Sequence, residues 1–153
     1  MILTSTTDIA LPPLAVFDGL ADFALFEALL RERGIDVART DHGSDARQAS
    51  WRLQFDRGGK RRDMGAHVTA LHRPSDLALE GVLDGVAIRP HMRIEALDQD
   101  RSRLTVTIEA RPMTVYARVL LQPLKLAAGT LNRRLDARLD DLARRLERRA
   151  GPT

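Results

Sequence analysis

The chain has 153 residues, which suits one domain with a real core and bounds what it can bury. Basic residues outnumber acidic ones only 24 to 21, so the net charge of +3 is small and the pI near 10.1 reflects arginine usage, not a strong field. Absence of cysteine excludes disulfides, thiol nucleophiles and Cys-ligated zinc, and no apolar run approaches the ~20 residues of a membrane span.

Lys60 and Lys125 are the only lysines. Basic and acidic residues are interleaved, unlike a basic tail or stripe, so a nucleic-acid partner is not expected. Met1–Ile9 lacks a basic n-region and a long apolar h-region, so no signal peptide is expected and a cytoplasmic location is.

Ile2–Ile9 reads as a strand rich in Thr and Ile. Pro12-Pro13 ends it and opens a short helix whose buried face is Val16, Phe17 and Leu20. Asp22 can cap a second helix with Phe23, Phe26, Leu29 and Leu30 on its apolar face and Glu27→Arg31 as an i,i+4 pair. Gly34 sits where a glycine ends such a helix.

From Ile35 the apolar period becomes two. Ile35–Thr40 reads as a strand and Asp41–Arg47 as a polar loop. With Gly58-Gly59 as a two-residue turn, Phe55 faces Arg62, Leu53 faces Met64, Trp51 faces Ala66 and Ala49 faces Val68. One face is then apolar except at Arg62. A slip of one residue would mix the faces, so the register is specified. A second hairpin turns at Asp84-Gly85. It sets Leu83 against Val86, Gly81 against Ile88, Leu79 against Pro90 and Leu77 against Met92. Glu80 meets Arg89 on the other face. Pro90 cannot donate a ladder bond, so it marks an edge, a bulge or a break. Val86–Leu97 and Arg103–Arg111 are the last strands, joined by Asp98–Ser102.

Thr114–Arg149 reads as one long helix, capped by Thr114 and kinked by Pro123. Leu124, Ala128, Leu131, Leu135, Leu139, Leu142 and Leu146 recur at about 3.7 residues and form one apolar stripe. The opposite face is charged. The order is strand, two short helices, six strands, long helix. The expected class is α+β, an antiparallel sheet with helices on one face, in one domain over 1–153.

Three features carry a family resemblance: Ile9-Ala10-Leu11-Pro12 followed by Val16-Phe17, Leu20 and Asp22; the element order; and the C-terminal amphipathic helix. In these the chain resembles the helix-grip superfamily, the SRPBCC or START-like group. That group joins START lipid-transfer domains, the birch-pollen-allergen type and bacterial polyketide cyclases/dehydrases. The chain looks most like small bacterial members. The resemblance implies a curved seven-stranded sheet gripping the long helix, with an apolar cavity between them. It supplies no universal catalytic residue, because this fold hosts many functions.

The expected cavity lining from the sheet is Trp51, Leu53, Phe55, Met64, Ile88, Met92, Ile94, Val106 and Ile108, with Gly81 making room opposite Ile88. Leu120, Leu121 and Leu124 add the helix side. Singly each suits a core; as a set around a gripping sheet they suit a pocket. Arg62 has two readings. It can hold a carboxylate or phosphate at the cavity mouth, or snorkel to water beside its turn. Tyr116 can offer a hydroxyl to a ligand or be a core ring with a wet tip.

His42, His67, His72 and His91 show no ligand spacing, and the registers turn His67 and His91 outward. No metal or cofactor is expected. Gly58-Gly59-Lys60 lacks the frame of a phosphate loop. Ser5 and Thr7 point inward without a base beside them, and no carboxylate pair falls on the inner face, so no catalytic residue is assigned. The leading expectation is a binding or carrier protein for a lipid, quinone or polyketide-like molecule. The alternatives are a cyclase/dehydratase-type enzyme and a ligand-free interaction module. The pattern leaves oligomeric state open.

Overall fold

The structure, a computed structural model, describes residues 1–43 and 45–151. Strand β1 is Ile2–Ile9, helices α1 and α2 are Pro13–Leu20 and Phe23–Glu32, and β2 is Asp36–Arg39. Strands β3 to β7 are Ser50–Arg57, Lys60–His72, Asp76–Leu83, Val86–Ala96 and Ser102–Pro112. Helices α3 and α4 are Val115–Leu126 and Ala128–Ala150. The seven strands form one antiparallel sheet in the order β1-β7-β6-β5-β4-β3-β2. The α+β helix-grip arrangement expected from the sequence is present.

Local chemistry sets the element ends. Pro12 and Pro13 open α1, where a missing N–H costs nothing. The Asp22 carboxylate accepts from the Ala24 N–H and caps α2. Gly34, at φ 80°, closes α2 with the paired bonds Gly34 N–H to Arg31 and Ile35 N–H to Leu30. Gly58-Gly59 and Asp84-Gly85 have positive φ at both positions, the twist a two-residue hairpin needs.

Both registers follow the hydrophobic pattern. Phe55 opposes Arg62, Leu53 opposes Met64 and Trp51 opposes Ala66. Gly81 opposes Ile88, Leu77 opposes Met92, and Arg89 Nε donates to Glu80 at 2.9 Å. Pro90 lies in β6, an interior strand, and β5–β6 pairing is continuous on both sides of it. Of the three readings of Pro90, the local break fits.

The expected single helix over Thr114–Arg149 is instead two helices. Pro123 offers no N–H to the Val119 carbonyl, which weakens the turn around it. The break falls at Ala127, whose N–H is shared between the Pro123 and Leu124 carbonyls at 3.2 and 3.1 Å. Gly129, just beyond, is a poor helix former. Each helix then packs on its own ground. α3 rests on Val86, Ile88 and Ala110 through Ala117, Leu121 and Leu124. α4 lies along β1 and sends Leu139, Ala143 and Leu146 into the main core with Trp51, Leu77 and Leu104. Leu135 and Leu142 are only half-buried.

Edge strand β1 is tied to α4 by polar contacts. The Asn132 side chain donates to Thr4 O at 2.9 Å and accepts from Thr4 N at 3.2 Å, covering exposed edge groups. Ser5 donates to Asp136, and Thr7 donates to Asp140 at 2.9 Å. Ser5 and Thr7 do turn toward the helix side, and their hydroxyls serve this docking.

Two outcomes are expected. Leu139→Ala should cost about 2–5 kcal/mol in urea unfolding, and Leu135→Ala measurably less, since its side chain leaves less of a cavity. The second concerns acid. Hydrogen bonds from Arg103, Arg73 and Arg149 hold Asp8, Asp18 and Asp22 below the ordinary value of 3.8. A depressed folded-state carboxyl stabilises fully above its unfolded value and loses that contribution as pH falls through its folded value. The urea midpoint should therefore hold from neutrality to about pH 4 and drop below it. Arg149→Met should make that drop shallower by releasing Asp22.

Candidate functional site

The sheet's inner face and its helices enclose two cavities. The larger, about 520 Å³, lies beneath α3. Its sheet wall is Val86, Ile88, Ile108 and Ala110; its helix wall is Tyr116, Leu120, Leu121 and Leu124. Arg57, Arg62 and Asp84 stand at the two hairpin turns that border it. The smaller, about 210 Å³, lies between α1–α2 and the sheet, and its lining side chains are all apolar. Leu20, Phe23, Phe26 and Leu29 face Leu77, Leu79 and Met92 there.

The expected single lining set is thus divided. Arg62, Ile88, Ile108, Tyr116, Leu120 and Leu124 meet around the larger cavity, and Met92 lines the smaller. Trp51, Leu53, Ile94 and Val106 are buried in the main core instead. Phe55 and Met64 are half-buried on the same sheet face and border neither cavity. Gly81 makes no inner room. A Cβ there would lie 2.5 Å from the Met64 Cε methyl and 2.9 Å from the Gly65 carbonyl. The longer, flexible methionine reaches across from β4 and fills the space that strand pairing alone leaves above Gly81. Gly81 borders a shallow hollow on the outer face, beside His67 and Glu80.

Trp51 has its own polar setting. Its indole N–H donates to Glu27 Oε2 at 3.1 Å, and Phe23 and Phe26 meet its ring edge-on with centroids 5.0 and 5.2 Å away. Arg39 lies over the Trp51 ring at 5.4 Å and reaches Glu27 at 3.8 Å. Glu27 also pairs with Arg31, the i,i+4 contact visible in the sequence. The link from Glu27 to Trp51 joins α2 to β3, and no local spacing signals it.

Arg62 gives the larger cavity its chemistry. Nη1 donates to Asp84 at 3.1 Å, so the head does not simply run out to water. Its Nε is buried and has no hydrogen-bond partner among the described residues. Nε and Nη2 form the side-on pair of a guanidinium that grips a carboxylate through two parallel bonds. Tyr116, largely exposed, borders the same space with its ring.

The histidines lie elsewhere. His67 is exposed on the outer face, and His91 Nε2 is 2.9 Å from Asp76. Among the described residues no three His, Asp or Glu side chains gather as metal ligands. Among the described residues no helix is long and apolar enough to cross a membrane.

No family model matches the chain, and no curated protein matches it in sequence. Solved structures match it in shape. The Zhui aromatase/cyclase from Streptomyces sp. R1128 superposes with a TM-score of 0.68 at 19% identity, over 100% of this chain and 99% of that one. A norcoclaurine synthase from Thalictrum flavum gives 0.67 at 11% identity, over 95% and 93%. An HSP90 activator from Plasmodium falciparum gives 0.52 at 13% identity, over 74% and 76%. These likenesses establish the helix-grip fold for this chain.

Because Gly81 packs against Met64 and a fixed carbonyl, Gly81→Ala should destabilise the fold by about 1–3 kcal/mol. Apolar dye uptake by the folded fraction should not change. Unfolding curves and dye titration on the same sample separate the two effects.

Proposed function

We propose that the chain binds and carries a hydrophobic small molecule with an anionic head, working as one ligand-binding domain in the cytoplasm. The tail lies in the cavity beneath α3, and the head meets Arg62. The observation that carries this reading is the pairing of a mostly apolar space of about 520 Å³ with a buried, unpartnered Arg62 Nε. That volume falls in the range of small-molecule sites, whereas about 210 Å³ falls below it. A buried donor without an acceptor costs free energy, which a bound carboxylate would recover. Asp84 on Nη1 orients the guanidinium and leaves Nε without an acceptor, and a turn of the side chain toward the cavity would present that edge to a ligand. Fatty-acid-like, quinone-like and polyketide-like molecules all fit the apolar walls; the arginine favours those with an acid group. The helix-grip fold of a cyclase supports an enclosed apolar site as a property of the architecture, and its chemistry remains that protein's own.

The test is a titration with a fluorescent fatty acid, expected to bind in the micromolar range, about −8 kcal/mol. Arg62→Gln should weaken the acid by at least about tenfold and leave the matching alcohol unchanged. Ala110→Phe should fill the cavity and weaken both alike, and because Ala110 also packs under α3 the unfolding curve of the same sample is used to correct for the folded fraction. Equal loss of acid and alcohol in Arg62→Gln would remove the head-group assignment. Recovery of a chemically altered ligand would put the enzyme reading ahead of the carrier reading.

A further inference from the structure

Helix α3 buries only one narrow stripe, Ala117, Leu121 and Leu124. On the side away from the sheet, where a helix exposed to water should be polar, it carries Val115, Val119 and Leu126 at steps of four and seven. These are 78%, 63% and 92% exposed. Tyr116 and Leu120 extend the apolar arc toward the cavity. Met113, before the helix, and Ile2, at the same end of the sheet, are exposed too. Eight of the ten large apolar side chains exposed among the described residues lie at this end, Val82 beside the Asp84-Gly85 turn included.

The charge carried by α3 itself is of one sign, whereas Glu109, opposite Ile2 on β7, is acidic. Between Glu109 and Asp136 the chain has no acidic residue, and α3 carries Arg118 and Lys125 on one flank, seven residues apart. The β3–β4 turn, which borders the same cavity, adds Arg57 and Lys60. None of these four cations has an ion pair among the described residues. The nearby carboxylates Asp56 and Asp84 are each held by an arginine, Arg61 and Arg62. Elsewhere some arginines are paired, as in Arg73–Asp18, Arg103–Asp8 and Arg145–Glu32, and others such as Arg33, Arg47 and Arg144 are not among the described residues, so it is the apolar line beside them that sets these four cations apart.

We propose that this end of the molecule docks on an anionic lipid bilayer, with the Val115–Val119–Leu126 line of α3 in the interface and Arg118, Lys125, Arg57 and Lys60 on the lipid head groups. A convex helix with an apolar arc and a cationic flank is the form that lies in a membrane interface. Its cations select an anionic surface. A second copy meeting the same face across a twofold axis would oppose like charges, which disfavours self-pairing. Docking needs no occupant in the cavity, so it stands apart from the ligand assignment.

The test is co-sedimentation of the full chain with vesicles of phosphatidylcholine alone, or of phosphatidylcholine mixed with phosphatidylglycerol. Binding is expected with the mixed vesicles only and should fall with salt. Arg118→Gln and Lys125→Gln should each weaken it about fivefold. The double change Val119→Asp with Leu126→Asp should abolish it; both sites are exposed, so the unfolding midpoint should hold. A second readout uses the absence of cysteine. A polarity-sensitive dye on Leu126→Cys should shift to the blue with mixed vesicles, while the same dye on Gln99→Cys, in the β6–β7 turn at the far end, should not. Failure to bind mixed vesicles would overturn the proposal. So would binding that survives the double change, or concentration-dependent dimerisation that the double change removes.

Discussion

One apolar sheet face, too broad for one helix, governs this molecule. Seven strands at about 4.8 Å spacing span about 29 Å, and a helix with its side chains covers roughly 10–12 Å. Curvature narrows the gap without closing it. Three pieces therefore share the cover: α4 along edge strand β1, α1–α2 from β6 toward the other edge at β2, and α3 over the β6–β7 end. Cavities fall where these pieces fail to meet. The smaller lies at the seam of α1–α2 with Leu142 of α4, and the larger lies under α3.

The seams that do close are closed by polar clamps around the core. Trp51 fills the space beneath α2, and Glu27 satisfies its indole N–H, so a large ring is buried without an orphan donor. Asp22 caps α2 and also accepts from Arg149 of α4, which ties two covering helices to each other. Arg145 reaches Glu32 of α2 at 3.0 Å from one turn earlier. Such pairs are partly exposed and individually weak, so they set the positions of helices whose burial supplies the stability. That division of labour explains an arginine-rich composition with little net charge: most of the guanidiniums near a carboxylate hold two elements in register.

How much of this was legible in the sequence depends on the range of the interaction. The hairpin registers were readable because the turn residues fix the phase and alternation then assigns every face. Phe55 against Arg62 and Gly81 against Ile88 followed by counting. Helix caps at Asp22 and Thr114 were readable because they act within three residues. The break at Ala127 was not, since Pro123 announces a disturbance without saying where the chain will resume. The filling of Gly81's space by Met64 was also out of reach, because it depends on the reach of a flexible side chain on a neighbouring strand. Trp51 and Glu27 are 24 positions apart and belong to different elements, so neither residue type hinted at the other. Periodicity gave the side of the sheet a residue faces and could not divide that side into core and cavity.

The break at Ala127 links the cavity to the surface above it. A single straight helix would carry one stripe, committed along its whole length to one partner. Separating α3 from α4 lets α3 hold a small cluster of its own, Val86, Ala117 and Leu121, against a main core of seventeen buried residues. Its first turn is fixed by Thr114, whose hydroxyl accepts from Ala117 N–H at 3.0 Å, and by Met113 N–H on the Gly85 carbonyl at 2.8 Å. Few buried apolar contacts are a physical mark of an element with low local stability. An apolar molecule beneath α3 would supply the packing partner that the core does not provide for Leu120 and Leu124. The sheet thus needs three covering pieces, and the least anchored of them stands over the larger cavity.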